Sequence, residues 1–255
     1  MWQDIKMLNA ISSALFGLVA LALLASGIWW LAQRPMFTLK VIRVEGAERS
    51  ELRRINPLTI RASALPRIKG NFFTANLDTV RTAFESVPWV RKAAVQREWP
   101  NKLIVTLEEH QALGTWDDDG RLLSVHGDLF TANLDEAEED GALLRFSGPA
   151  GSEKDVVARL ADFRQWFEPL ALSPVEVNLS SRYAWAVKLS NGMAVELGRE
   201  QDKNTLKDRV GRLVQIYPQL LTRLQNRIES VDMRYPNGLA LKASGLASGL
   251  GSKKK

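Results

Sequence analysis

The chain has 255 residues, a net charge of +5 and no cysteine. Its 45% hydrophobic and 25% charged content is that of a folded protein, which excludes a disulfide-stapled or low-complexity chain. The positive surplus is small and lacks a basic patch interleaved with aromatic residues, so a nucleic-acid surface is also excluded.

From Met7 to Gln33 no Asp, Glu, Lys or Arg occurs, and Ala10 to Leu31 is almost wholly apolar. At about 1.5 Å of rise per residue, a helix of this length crosses the roughly 30 Å core of a bilayer. Trp29 and Trp30 close the run, as aromatic residues do at a lipid–water boundary. A signal peptide has a shorter apolar region of about 7–15 residues, and a buried core helix shows a recurring polar face. The run therefore reads as a retained transmembrane helix over residues 10–32, preceded by a short tail, residues 1–9. Charge leaves its orientation open. Arg34, Lys40 and Arg43 follow the span, but long domains cross membranes largely regardless of such flanking residues.

A first soluble unit covers residues 36–109. Phe37–Val44 is β-branched and apolar and ends at Glu45-Gly46, which predicts a strand and a turn. Ser50–Ile55 is a short helix candidate. Leu77, Val80, Phe84 and Val87 share one helical face, with Asn76 or Asp78 as cap and Pro88 as stop. Val90–Trp99 reads as a strand and Pro100-Asn101 as a turn. Leu103, Val105 and Leu107 then alternate with polar residues, the pattern of a half-buried strand.

A second unit covers residues 110–243. Asp119-Gly120 and Asn191-Gly192 are hairpin turns, and around the latter Trp185, Val187 and Leu189 face Met193, Val195 and Leu197. Val156, Leu160, Phe163 and Phe167 mark one amphipathic helix; Leu206, Val210, Leu213, Val214, Tyr217, Leu221 and Leu224 mark a longer one. Val231, Met233 and Tyr235 form the buried side of a strand, opposite Ser230, Asp232 and Arg234. Pro236-Asn237-Gly238 turns it into a last strand holding Leu239 and Leu241. The expectation is α+β: an antiparallel sheet with helices on one face. Residues 244–255, rich in Ser, Gly and Lys, cannot offset their ordering entropy and are expected to be disordered.

No catalytic constellation stands out. Without cysteine there is no thiol nucleophile or thiolate metal site. His110 and His126 are too far apart for helical pairing, and no nucleophile elbow, phosphate loop or dinucleotide fingerprint is present. The acidic runs Asp117–Asp119 and Glu136–Asp140 lack the ligand spacing of a calcium loop and read as solvated loops. No cofactor is expected.

Four segments stand out together: Phe37-Thr-Leu-Lys-Val-Ile-Arg-Val-Glu-Gly46 after the span; Asn71-Phe-Phe-Thr-Ala-Asn-Leu-Asp78; the block from Val87-Pro-Trp-Val90 through Arg97-Glu-Trp-Pro100 to Leu103-Ile-Val105; and Val231-Asp-Met-Arg-Tyr-Pro-Asn-Gly238. In combination they resemble the FtsQ/DivIB family of bacterial cell division proteins. The resemblance implies a POTRA domain of β-α-α-β-β order over residues 36–109 and a family-specific β domain after it. It implies a single-pass type II protein of the inner membrane, both domains periplasmic, acting without catalysis at the division septum. It also implies binding to the small coiled-coil proteins FtsB and FtsL through the final strand pair, at Arg234, Tyr235, Asn237, Gly238, Leu239, Ala240 and Leu241. The physical route is strand addition, because a sheet edge offers unpaired backbone N–H and C=O groups to an extended segment. From the alternation alone Tyr235 belongs to the core and Arg234 to solvent; the resemblance assigns both to the partner, with Arg234 expected to pair with an acidic side chain there. The alternative is a POTRA-containing module of a secretion or outer-membrane assembly system. Against it, only one POTRA copy is visible and no series of alternating strands of barrel length.

Overall fold

The computed structural model describes residues 2–47, 51–117, 119–224, 228–235 and 238–243. Its contacts divide the chain into two compact units, Met1–Glu109 and His110–Lys255.

Helix α1 (Trp2–Ala32) opens the first unit. None of its apolar stretch Met7–Ala32 is buried in the protein. Leu15, Phe16, Leu21 and Leu23 all point outward, an arrangement costly in water and favourable in hydrocarbon.

Strand β1 (Val41–Gly46) follows, then α2 (Pro57–Ser63), α3 (Leu77–Glu85), β2 (Val90–Glu98) and β3 (Lys102–Glu109). The sheet order is β1-β3-β2, with β1 parallel and β2 antiparallel to the central β3. The short helix expected over Ser50–Ile55 is not formed at 51–55, and Ser50 lies outside the described residues. The helix starts later because Asn56 caps it, its side chain accepting the Leu58 N–H at 2.8 Å, with Pro57 at the first helical position. The backbone N–H groups of Arg53 and Arg54 instead donate to the Glu109 carboxylate. Asn76 caps α3, accepting from Asp78 and Thr79 at 2.9 and 3.2 Å. Val80 and Phe84 of that helix, with Trp89, Leu103, Val105 and Leu107, fill the core of this unit.

The second unit contains β4 (Ala112–Trp116), β5 (Arg121–Ser124), β6 (Leu129–Phe130), α4 (Leu134–Glu138), β7 (Leu144–Ser147) and α5 (Glu153–Phe167). It continues with β8 (Pro174–Leu179), β9 (Ala184–Leu189), β10 (Ala194–Arg199), α6 (Thr205–Leu224), β11 (Ile228–Asp232) and β12 (Ala240–Ala243). All nine strands join one sheet in the order β12-β11-β10-β9-β8-β7-β4-β5-β6. The sheet is mixed, where the sequence suggested an antiparallel one: β4–β7, β7–β8 and β10–β11 are parallel. Two of these junctions have a plain cause. Each parallel step needs a crossover, and α5 and α6 supply it between β7 and β8 and between β10 and β11. Both helices pack into one cluster: Val156, Leu160, Phe163 and Phe167 from α5, and Leu206, Val210, Leu213 and Tyr217 from α6. Trp185, Val187, Leu189, Val195, Leu197, Val231 and Met233 complete it from the strands.

Candidate functional site: the terminal strand pair

Strand β11 joins the sheet through parallel pairing with β10, matching Val195 to Val231 and Glu196 to Asp232. The Met233 N–H extends this pairing by donating to the Glu196 carbonyl at 2.8 Å. Strand β12 then lies antiparallel on β11, Asp232 opposite Ala240, Val231 opposite Leu241 and Ser230 opposite Lys242. Among the described residues β12 has no second strand neighbour, so one side of its backbone faces outward. Lys242 pairs with Glu229 across the ribbon at 3.0 Å.

The candidate residues fall into three groups. Ala240 and Leu241 are exposed on the outer strand, and Gly238 is exposed before it. Leu239 is half-buried and packs on the core cluster, which ties the start of β12 to the domain. Asn237, with Pro236, lies outside the described residues.

Tyr235 departs from the alternation. Val231 and Met233 are buried, yet Tyr235 is 55% exposed. The cause is local. Asp232 ends β11, and its carboxylate accepts the Arg234 N–H at 3.0 Å, a turn that abolishes the two-residue period. The Tyr235 carbonyl accepts from the Arg212 guanidinium of α6 at 3.3 Å, which fixes the backbone while the ring stays outside.

Arg234 has an acidic partner within the chain itself. Its Nε donates to the two Asp232 carboxylate oxygens at 2.9 and 3.0 Å, and its Nη2 to Oδ2 at 2.6 Å. The hydrogen bond from the Arg234 side chain, above all, holds the Asp232 carboxyl below its ordinary range. The Arg234 stem crosses Gly198, where β10 carries a bulge. A Cβ on Gly198 would stand 2.8 Å from Arg234 Cγ, and the glycine has φ +75°. Arg209 of α6 holds the same bulge by donating to the Leu197 and Arg199 carbonyls at 2.6 and 2.8 Å. Sequence reading missed these supports. The available signals were the Asp-x-Arg spacing, which suits a side-chain turn, and the three-residue step between Arg209 and Arg212 on one helix face.

The arrangement can present backbone hydrogen-bonding groups, one exposed phenol, and a guanidinium oriented by Asp232. Residues 37–110 match the family model described as POTRA domain, FtsQ-type. With the apolar N-terminal helix and the open-edged sheet, this defines the class: a membrane-anchored POTRA protein. Residues 114–234 match the model described as cell division protein FtsQ/DivIB, C-terminal. Similar proteins include the cell division protein FtsQ of Burkholderia pseudomallei (strain K96243), 53% identical over 96% of each chain. That of Bordetella pertussis (strain Tohama I) is 42% identical over 94% of this chain and 92% of its own. That of Thiomonas arsenitoxydans is 37% identical over 95% of this chain and 89% of its own. The chain belongs to the FtsQ/DivIB family of cell division proteins. It is a single-pass membrane protein of the bacterial division site.

Proposed function

We propose that this chain is a non-catalytic scaffold that links early and late septal components by capturing FtsB, together with FtsL, at the rim of β12. Both soluble units face the periplasm, with the amino terminus in the cytoplasm. The single observation that carries the capture site is that, among the described residues, β12 ends the sheet with no second strand neighbour, since an open edge templates pairing with an extended segment. Of the expected contact residues, Ala240 and Leu241 lie on β12 and Gly238 and Leu239 just before it, while Arg234 and Tyr235 follow the end of β11. Tyr235 supplies contact area with a polar tip. Arg234, already oriented by Asp232, offers its remaining N–H groups to an acidic or carbonyl oxygen of the incoming chain.

Truncation of an interface tyrosine costs about 2 kcal/mol or more, so Tyr235→Ala should weaken FtsB capture by roughly thirtyfold. The check is a titration of a labelled FtsB segment against the purified protein, with the sheet verified by circular dichroism. Unchanged capture by folded Tyr235→Ala would remove the rim from the site. For orientation, a reporter fused after Lys242 should be active only when exported; cytoplasmic activity would reverse the assigned topology.

A further inference from the structure

The large exposed apolar side chains of the first unit, outside the span, are gathered rather than scattered. Among the described residues they are Met36 (55% exposed), Val41, Phe73 (51%), Trp99 (71%) and Leu58. All but Leu58 lie at the end of the sheet where β1 begins. The Lys40 N–H donates to the Asn101 carbonyl at 3.1 Å, and the Asn101 side chain donates to the Met36 carbonyl at 3.3 Å. These bonds fix the β2–β3 turn, with Trp99, beside the segment leaving the span. The Phe72 N–H donates to the Phe37 carbonyl at 2.9 Å, and the Phe37 and Phe73 rings meet edge-on at 4.9 Å. The Asn71 side chain donates to the carbonyl of Ala32, the last residue of α1, at 2.9 Å. Leu58 belongs to the other end, because Arg53 and Arg54, just before α2, bond to Glu109 at the close of β3.

The charge follows the same division. The converging segments 33–41, 66–76 and 99–102 contain no Asp or Glu but hold Arg34, Lys40, Arg67, Lys69 and Lys102. Arg67 donates to Ser86 and Lys102 pairs with Glu98, whereas Arg34, Lys40 and Lys69 are exposed. The Arg34 guanidinium lies over the Trp30 ring at 3.4 Å, at the closing turn of the span. Few residues separate Ala32 from Met36, so Met36 lies within about 14 Å of the end of the span even if the chain is fully extended.

We propose that this pole of the POTRA unit is seated in the phospholipid interface of the membrane that α1 crosses. Phe73 and Trp99 insert at headgroup depth, and Arg34, Lys40 and Lys69 meet anionic headgroups. Aromatic rings favour that zone, basic residues are drawn to anionic lipid, and monomeric proteins seldom expose such a patch to water without use. The lipid is chosen over a protein occupant because the patch is continuous with a segment that already lies in lipid. Its basic residues outnumber its one bordering acid, Glu98, which Lys102 already pairs. The inference is independent of the β12 rim.

The absence of native cysteine makes the test direct. Phe73→Cys, Trp99→Cys and Leu58→Cys, each in the full chain and labelled with a nitroxide, are reconstituted in phosphatidylcholine vesicles with and without phosphatidylglycerol. Labels at 73 and 99 should lose collisions with an aqueous nickel chelate and gain collisions with oxygen relative to 58, more strongly with phosphatidylglycerol. Chelate access at 73 and 99 equal to that at 58 overturns the proposal. Protection that rises with protein-to-lipid ratio assigns the face to a second copy of the chain and also overturns it. Protection indifferent to phosphatidylglycerol removes the role of the cations.

Discussion

Asp232 does two things at once: it closes the turn that ends β11 and it clamps the guanidinium of Arg234. Both hydrogen bonds need the carboxylate, and they lower its pKa below the ordinary value of about 3.9. A depressed folded-state value means that this stabilisation is complete above the unfolded value. It is lost as pH falls through the folded one. A proton titration followed by NMR should therefore place Asp232 below the usual range, and Arg234→Gln should move it back up. An Asp232 titration indifferent to that change would mean the clamp does not persist in solution. Gly198 supports the same clamp from beneath. Gly198→Ala places an ordinary residue at φ +75°, which costs about 1–2 kcal/mol, and crowds the Arg234 stem. A lower urea midpoint, with the Asp232 titration shifted upward, is the expected pair of results. At this scale the sequence was half legible. The alternation placed Val231 and Met233 inside, but it continued to Tyr235 because nothing in a two-residue pattern registers a side-chain turn. The identity of Arg234 was readable; its internal partner was signalled only by the Asp-x-Arg spacing, which alternation does not weigh.

At the scale of elements, spacing was most informative where one face is buried and the other is wet. Leu206, Val210, Leu213 and Tyr217 of α6 are all buried, as their spacing required, and Trp185, Val187 and Leu189 of β9 likewise. The parallel junctions were harder, since alternation is blind to strand direction. The clue was present nonetheless: a helix inserted between two strands permits a crossover, and α5 and α6 occupy those places. Ser50–Ile55 misled because helix formers were weighed without the stronger start signal that follows, Asn56-Pro57. The crossover role gives α6 a consequence beyond packing. It delivers β11 to the sheet, and through β11 it delivers the rim. Leu213 is fully buried in the shared cluster, so Leu213→Ala should cost about 2–5 kcal/mol. Gln215→Ala, exposed on the same helix, should stay within about 0.5 kcal/mol. Calorimetry of the two variants separates core support from helix propensity. A Leu213→Ala loss no larger than that of Gln215→Ala would mean that α6 does not hold the sheet.

For the whole molecule, the span and the succession of two units were legible because each change of composition has its own physics: an uncharged run suited to lipid, then alternating and amphipathic segments suited to water. The rim was expected through the resemblance and the place of the last strand rather than from composition, since an edge exists only once every other strand has found its neighbours. That distinction bears on how the function is divided. Each unit has its own core, so each should melt on its own account, and damage to one core should stay in that unit. Phe84 is fully buried in the first unit, so Phe84→Ala should destabilise it by about 3–5 kcal/mol. Thermal unfolding should then show one transition moved down and the other unmoved. If capture belongs to the rim of β12, the variant should bind the FtsB segment normally at a temperature where only the first unit has melted. Binding that disappears together with the first transition would show that the POTRA unit contributes to the capture surface, and a scaffold acting through the terminal ribbon alone would have to be abandoned.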